Sequence, residues 1–257
     1  MVRELEYDVC EMAFTTYLVA KEHGKRFTAL PIFLVRGFHH GAILAAAPGD
    51  PKELEGERVG VNRGYTVTTG VWARGILASE YGVDLDRITW VPSGDEHVSE
   101  YRAPANVEPL EPGRDLAEAV LAGELAAVVG DVKHPDLVPL LPDASEAGFR
   151  ALRERGHYPI NHLVVVRDEL LDANPELAGA VLDAFERAKQ AYVERGELEP
   201  LHARVRDITG GDPLPYGVEP NRAAIEELIE HAVAQKILAR RPAVENLFAE
   251  STVRDLN

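Results

Sequence analysis

Apolar positions fall into short continuous runs that alternate with stretches of helical spacing. Residues 6–14 read as a strand passing into a helix that continues through Tyr17, Leu18 and Ala20 and stops near Gly24. TALPIFL at 28–34 and GAILAAA at 41–47 have strand length. Further short strands are predicted at 58–61, 88–91, 107–110, 125–129 and 162–166. Helices are predicted over 66–81, 116–122 and 144–155, and Leu177, Val181, Phe185, Ala188 and Tyr192 mark a strongly amphipathic one. The C-terminal part reads as helical, broken at Asp212-Pro213-Leu214-Pro215.

This alternation predicts an α/β protein with mainly parallel sheets. The middle third has its own strand–helix series between two short crossings, near 48–56 and 162–168. The expected architecture is therefore two-lobed, like the periplasmic-binding-protein folds, with a ligand cleft between lobes. Residues 1–51 and 164–257 would form lobe 1 and residues 52–163 lobe 2.

The 257 residues are 46% hydrophobic and 27% charged, as in ordinary globular proteins. No apolar run reaches the length of a transmembrane helix. A single cysteine, Cys10, excludes an intrachain disulfide and a four-cysteine zinc site. The net charge of −16 gives no general attraction to nucleic acid or anionic membrane, so neither is an expected partner. An anionic ligand would need local cations. No apolar signal-peptide core follows Met1.

Several groups are candidates for chemistry. Arg36, His39 and His40 share a loop between two strands, where Arg36 and His39 can bind a carboxylate and His40 can exchange protons. Equally, the histidines can be ordinary loop residues and Arg36 can pair with a nearby acid. Tyr65, Thr66, Thr68 and Thr69 stand at a strand-to-helix turn, which can hold an anion or simply be capped by Thr66. His162 opens a strand at the return crossing, either as a second acid–base group or as a hinge histidine bonded to backbone. Asp131 follows a buried strand and can accept a proton, orient a histidine or cap a helix. Tyr216, Asn221 and Arg222 lie between Pro215 and Pro220 in a stiff segment, with Tyr216 a candidate wall of the site. Arg74 reads as structural, and the loop through Asp95, Glu96, His97 and Arg102 as a lid or a solvated loop. His157 and His162 lack acids at ligand spacing, so no metal is expected.

Tyr7–Met12, Leu30–Phe33 with Arg36–His40, Val59–Val61, Val71–Leu77, Tyr158–His162, Tyr216–Arg222 and Asn246–Ala249, in this order and spacing, resemble the 4,5-dihydroxyphthalate decarboxylases. That resemblance implies a type II periplasmic-binding-protein fold and a cytoplasmic, cofactor-independent enzyme. Its reaction would be decarboxylation of a hydroxylated aromatic dicarboxylate. The resemblance also implies an additional β-α-β stretch ahead of Tyr7, and without it an exposed sheet edge favouring a homo-oligomer. The family has Arg-His where this chain has His39-His40, and Pro-Ile-Met-His where it has Pro159-Ile160-Asn161-His162.

The required chemistry matches these residue types. Release of carbon dioxide from an aromatic ring needs a proton donor to the carbon bearing the carboxylate, a base for a para hydroxyl, and cations for the remaining carboxylate. The resemblance places His40 and His162 in the catalytic roles, and Asp131, by its position after a buried strand, is the third candidate. It places Arg36 and His39 on the carboxylate of a small aromatic ligand, to which the turn at Tyr65, Thr66, Thr68 and Thr69 and the candidate wall Tyr216 are added as further substrate-binding candidates. The alternative is a solute-binding protein of an ABC-type transporter for a similar ligand.

Overall fold

The computed structural model describes residues 1–253. In chain order its elements are β1 (Val9–Ala13), α1 (Phe14–Glu22), β2 (Phe27–Phe33), β3 (Ile43–Ala45), β4 (Arg58–Val61), α2 (Thr68–Tyr81), β5 (Thr89–Pro92), α3 (Leu116–Leu121), β6 (Ala127–Val129), β7 (Val138–Pro139), α4 (Ala144–Arg155), β8 (His162–Arg167), α5 (Asp168–Ala173), α6 (Leu177–Glu194), α7 (Pro200–Thr209), α8 (Arg222–Ala234) and α9 (Glu250–Val253). The chain divides into two compact units. The first comprises Met1–Gly37, Ala151–Ile229 and the stretch from Arg240; the second comprises Phe38–Arg150 and Glu230–Ala239.

The first unit is built on a three-stranded sheet in the order β1-β8-β2. β8 pairs antiparallel with both neighbours, Val9–Ala13 lying against Val166–His162 on one side and Phe27–Phe33, with an irregularity after Leu30, on the other. α1 is apolar almost all round, and Phe14 to Ala20 are buried, as a helix enclosed on every side requires. α6 is instead one-sided. Leu177, Val181 and Phe185 cover the sheet residues Leu30, Ile32, Val164 and Val166.

The second unit holds a five-stranded sheet in the order β5-β4-β6-β3-β7. β4 runs parallel to β5 and β6, whereas β3 is antiparallel to β6 and to β7. Under α3, Val91, Leu116, Val120, Leu125 and Val128 form a core, and Trp72 and Trp90 are fully buried. α2 ends at Gly82, whose φ of 64° supplies the left-handed cap that a side chain would resist.

The expectation of mainly parallel sheets is corrected. A helical crossover fixes the relative direction of the strands it joins, and β1 and β2 do run the same way through α1. It does not fix what lies between them, and β8 enters there from the opposite direction. The strand expected at 107–110 is also absent among the described residues. That segment follows β5 through Trp90 N–H to Asn106 O, Glu108 N–H to Trp90 O and Leu110 N–H to Pro92 O. Pro109 has no N–H to continue a ladder. The run at 41–47 shortens to β3, because His40–Ala42 form a 3-10 turn before it.

Candidate functional site

The parallel strands β5, β4 and β6 end at one edge of the second unit's sheet, and the residues that follow them meet there. Beyond β4, Asn62 Nδ2 donates to Asp131 O after β6 (2.8 Å), and Arg63 N–H donates to Ser93 Oγ after β5 (3.0 Å). Such edges gather ligand groups because the strands end in loops and the following helix begins there. Arg63 takes a φ of 66°, a left-handed conformation rare for a side chain of this size, and Gly94 N–H donates to its carbonyl.

α2 begins just past this turn. Its cap position is Val67, which has no polar atom to offer, and not Thr66. The turn's donors go instead to a carboxylate from the loop after β5. Glu96 Oε1 accepts from Tyr65 N–H (2.6 Å), and Glu96 Oε2 accepts from Thr66 N–H (3.2 Å) and Thr66 Oγ1 (2.5 Å). Gly64 makes this approach feasible, since a Cβ there would stand 2.8 Å from Glu96 Oε2 and 3.0 Å from the Asp95 carbonyl. Thr66 and Thr68 are buried, and Thr69 is half-buried.

Arg74 lies along the same helix, wholly buried. Its guanidinium stacks 4.0 Å over the Tyr65 ring, Nη2 donates to Tyr65 O (2.6 Å) and Nε donates to Gln235 Oε1 (2.8 Å). Among the described residues Nη1 has no hydrogen-bond partner, nor does the buried Tyr101 hydroxyl. Desolvation pulls the Arg74 pKa down, against the pull of Tyr65, Tyr101 and Glu96. Desolvation likewise pushes both tyrosine hydroxyls up. Anion donors are thus concentrated in the turn just before α2, whose Tyr65 ring and carbonyl are held by the Arg74 guanidinium.

His39 and His40 are buried at the 3-10 turn before β3. Gly130 N–H donates to Ala42 O, so this turn adjoins the end of β6. The His40 ring is nevertheless engaged by the last turn of α2, where Nε2 is 2.8 Å from Glu80 Oε2. Glu80 stands about 18 Å farther along the helix axis than Thr68, at about 1.5 Å per residue.

The remaining candidates belong to the first unit. Arg36 is buried, stacks 4.1 Å over Tyr158, and donates from Nη1 to Asn221 Oδ1 (2.7 Å) and from Nη2 to Tyr158 O (2.6 Å). Among the described residues only Nε lacks a partner, and burial lowers the pKa of the Arg36 guanidinium to about 10. Asn221 in turn donates to Pro215 O and Gly217 O, which ties the stiff segment to the arginine. Tyr216 packs against the core beneath α6, with the Lys189 ammonium 4.4 Å over its ring and its hydroxyl pKa raised by burial to about 12. His162, more than a third exposed, places Nδ1 2.6 Å from Glu11 Oε1 on the adjacent strand.

A surface groove of about 960 Å³ also lies in this unit, lined by Lys21, Arg26, Thr28, Asp168 and Asp172. Within it Lys21 Nζ donates to Thr28 Oγ1 (3.2 Å), Thr28 Oγ1 donates to Asp168 Oδ1 (2.8 Å), and Arg26 stands 3.9 Å from Asp172.

Sequence reasoning did not pick out Glu11, Glu80 or Arg74 as functional, and read Glu96 only as part of a loop. Glu11 becomes predictable only once the pairing of β1 with β8 is known. In antiparallel strands with Ala13 opposite His162, the residue two back is the diagonal same-face neighbour. Glu96 had no signal, because its turn is thirty residues away in the chain.

Searched against family models, the chain matches none. A curated protein, the 4,5-dihydroxyphthalate decarboxylase of Comamonas testosteroni, is 28% identical over 96% of this chain and 83% of its own length. Among solved structures, protein AF1704 of Archaeoglobus fulgidus superposes with a TM-score of 0.53 at 17% identity, covering 91% of this chain and 81% of its own. The desulfurization enzyme DSZB gives 0.52 at 15% identity over 94% and 82%. The alkanesulfonate-binding protein SsuA of Xanthomonas axonopodis pv. citri, bound to MOPS, gives 0.51 at 16% over 96% and 83%. This chain is a homologue of 4,5-dihydroxyphthalate decarboxylase and has a periplasmic-binding-protein-like α/β fold.

Proposed function

We propose that the chain is a cofactor-independent decarboxylase of a hydroxylated aromatic dicarboxylate such as 4,5-dihydroxyphthalate. The observation that carries this reading is the sequence likeness to a decarboxylase of that substrate across 96% of the chain. In this reaction a proton adds to the ring carbon bearing one carboxylate while the para hydroxyl gives up its own. The carbon–carbon bond then breaks to release carbon dioxide and restore the aromatic ring. The hydroxyl recovers its proton, so the net change is one carboxylate replaced by hydrogen.

The chain contains groups suited to each task. The turn at Tyr65 and Thr66 suits an oxyanion such as the spectator carboxylate. Asp131, exposed at the same sheet edge, suits the hydroxyl proton. Two histidine–carboxylate pairs suit the proton donor, His162 with Glu11 and His40 with Glu80. A carboxylate on one ring nitrogen fixes the orientation of the other. His162 Nδ1 faces Glu11, which leaves Nε2 for proton transfer, and the residue is partly open to solvent. His40 is sealed. We therefore assign the donor to His162.

Carbon dioxide release from 4,5-dihydroxyphthalate tests the assignment. His162→Ala is expected to lower turnover by ~10²–10⁴-fold, the usual loss for a general acid. A His162→Ala enzyme that keeps its rate while His40→Ala loses it transfers the role to His40. Absence of carbon dioxide release with every hydroxylated phthalate favours the second reading, a binding protein for an oxyanion. The superposition on SsuA supports that alternative.

A further inference from the structure

We propose that the Glu96 carboxylate is a built-in occupant of an oxyanion site at the start of α2, and that a ligand carboxylate must displace it to bind. The inference rests on the carboxylate-ligand reading above and adds how that site is regulated.

Glu96 presents its oxygens as a bound carboxylate would, Oε1 on Tyr65 N–H and Oε2 on both Thr66 donors. It comes from the long loop after β5, whose residues from Ser93 to His97 are exposed except for partly buried Glu96. The loop is tied to the unit at Ser93 and Gly94 and by the buried anchors Val98 and Tyr101, on either side of Glu96. A side chain so placed can leave without dismantling the core.

Two further groups point to a ligand beyond Glu96. Arg74 is 0% exposed, yet Nη1 has no partner among the described residues. It lies against the first turn of α2, 3.1 Å from where a Cβ on Gly70 would stand, while Nη2 of the same guanidinium holds the Tyr65 carbonyl. The Tyr101 hydroxyl, on the same loop as Glu96, is buried and without a partner, and its electrostatic neighbours are Tyr65, Glu96 and Arg74. Glu96 is thus electrostatically coupled to two buried groups, Arg74 and Tyr101, each of which keeps a donor without a partner among the described residues. A buried guanidinium without a carboxylate hydrogen bond is costly, and an incoming anion would relieve that cost. Phthalate-like dianions fit this requirement better than a single glutamate held at the end of a loop.

An occupied site lowers apparent affinity by the fraction of molecules in which it is free. Glu96→Ala and Glu96→Gln should therefore bind oxyanions more tightly than the parent. Calorimetry with phthalate, benzoate and methanesulfonate measures this without requiring turnover, and thermal unfolding confirms that each variant is folded. We expect Glu96→Ala to tighten phthalate roughly tenfold, as when a site about 90% self-occupied becomes free. Glu96→Gln, which keeps an acceptor but loses the charge, should tighten it less. Adding Thr66→Val to Glu96→Ala should reverse most of the gain. If benzoate and methanesulfonate tighten but phthalate does not bind, the displaced-carboxylate account stands and the dicarboxylate substrate is wrong. If phthalate binds equally or more weakly in both folded variants, or no probe binds any form, the proposal is overturned and Glu96 is only a turn-capping residue.

Discussion

Each unit buries an arginine against a tyrosine, Arg36 at 4.1 Å over Tyr158 and Arg74 at 4.0 Å over Tyr65. Each donates from Nη2 to the carbonyl of the tyrosine it stacks on, at 2.6 Å in both cases. Each also donates to a side-chain amide, Asn221 for Arg36 and Gln235 for Arg74. Neither forms a salt bridge with a carboxylate among the described residues. The difference lies in the nitrogen left over. In Arg36 it is the inboard Nε, and both terminal nitrogens hold protein. In Arg74 it is the terminal Nη1, beside a turn whose N–H groups already hold a carboxylate. The same device is closed in one unit and open in the other, so burial and stacking alone do not distinguish an anchor from a ligand group.

The largest effects should come from removing each arginine. Arg74→Met and Arg36→Met both strand a tyrosine carbonyl and an amide oxygen, and each should cost about 2–4 kcal/mol in denaturant unfolding. Ligand affinity should separate them. Arg74→Met should weaken phthalate roughly 100-fold if about 3 kcal/mol of charge-assisted hydrogen bonding is lost. Arg36→Met should change it little while the chain remains folded. Loss of binding in Arg36→Met alone would invert the comparison and return the carboxylate-binding role to Arg36.

Smaller effects are expected from the amides. Asn221→Ala removes the acceptor of Arg36 together with donors to Pro215 and Gly217, and Gln235→Ala removes the acceptor of Arg74 and the donor to Val71 O. Each should lower stability by about 1–3 kcal/mol, the cost of leaving a buried polar group unsatisfied. Melting curves that do not move would make these amides incidental. Smallest of all should be Gly64→Ala. Its Cβ would press on Glu96 and on the Asp95 carbonyl, and a shift of the loop should cost about 1 kcal/mol. It should also loosen Glu96 and partly reproduce the affinity gain of Glu96→Ala. An unchanged affinity would mean that the loop re-seats around the methyl group.

The chemistry-bearing residue types were legible where the chain keeps them close. The turn at Tyr65–Thr69 reads from a strand, a glycine and a helix in succession, and in the structure Tyr65 and Thr66 hold the Glu96 carboxylate there. The amphipathic α6 and its apolar face read directly from spacing. What did not read was long-range pairing. Local periodicity says nothing of β8 lying between β1 and β2, of Glu96 reaching thirty residues back, or of Glu80 engaging His40 across forty. Arg74 was legible as buried on an apolar helix, but its unpartnered nitrogen depends on where Gln235 and Tyr65 fall in three dimensions.

The most direct test of the decarboxylase reading is a nuclear magnetic resonance experiment on the intact protein with carboxyl-13C-labelled 4,5-dihydroxyphthalate in deuterated water. The account predicts that one labelled carboxylate appears as carbon dioxide and bicarbonate, with deuterium at the vacated ring carbon. A stable complex in which both labelled carboxylates persist would contradict it and identify the chain as a binding protein.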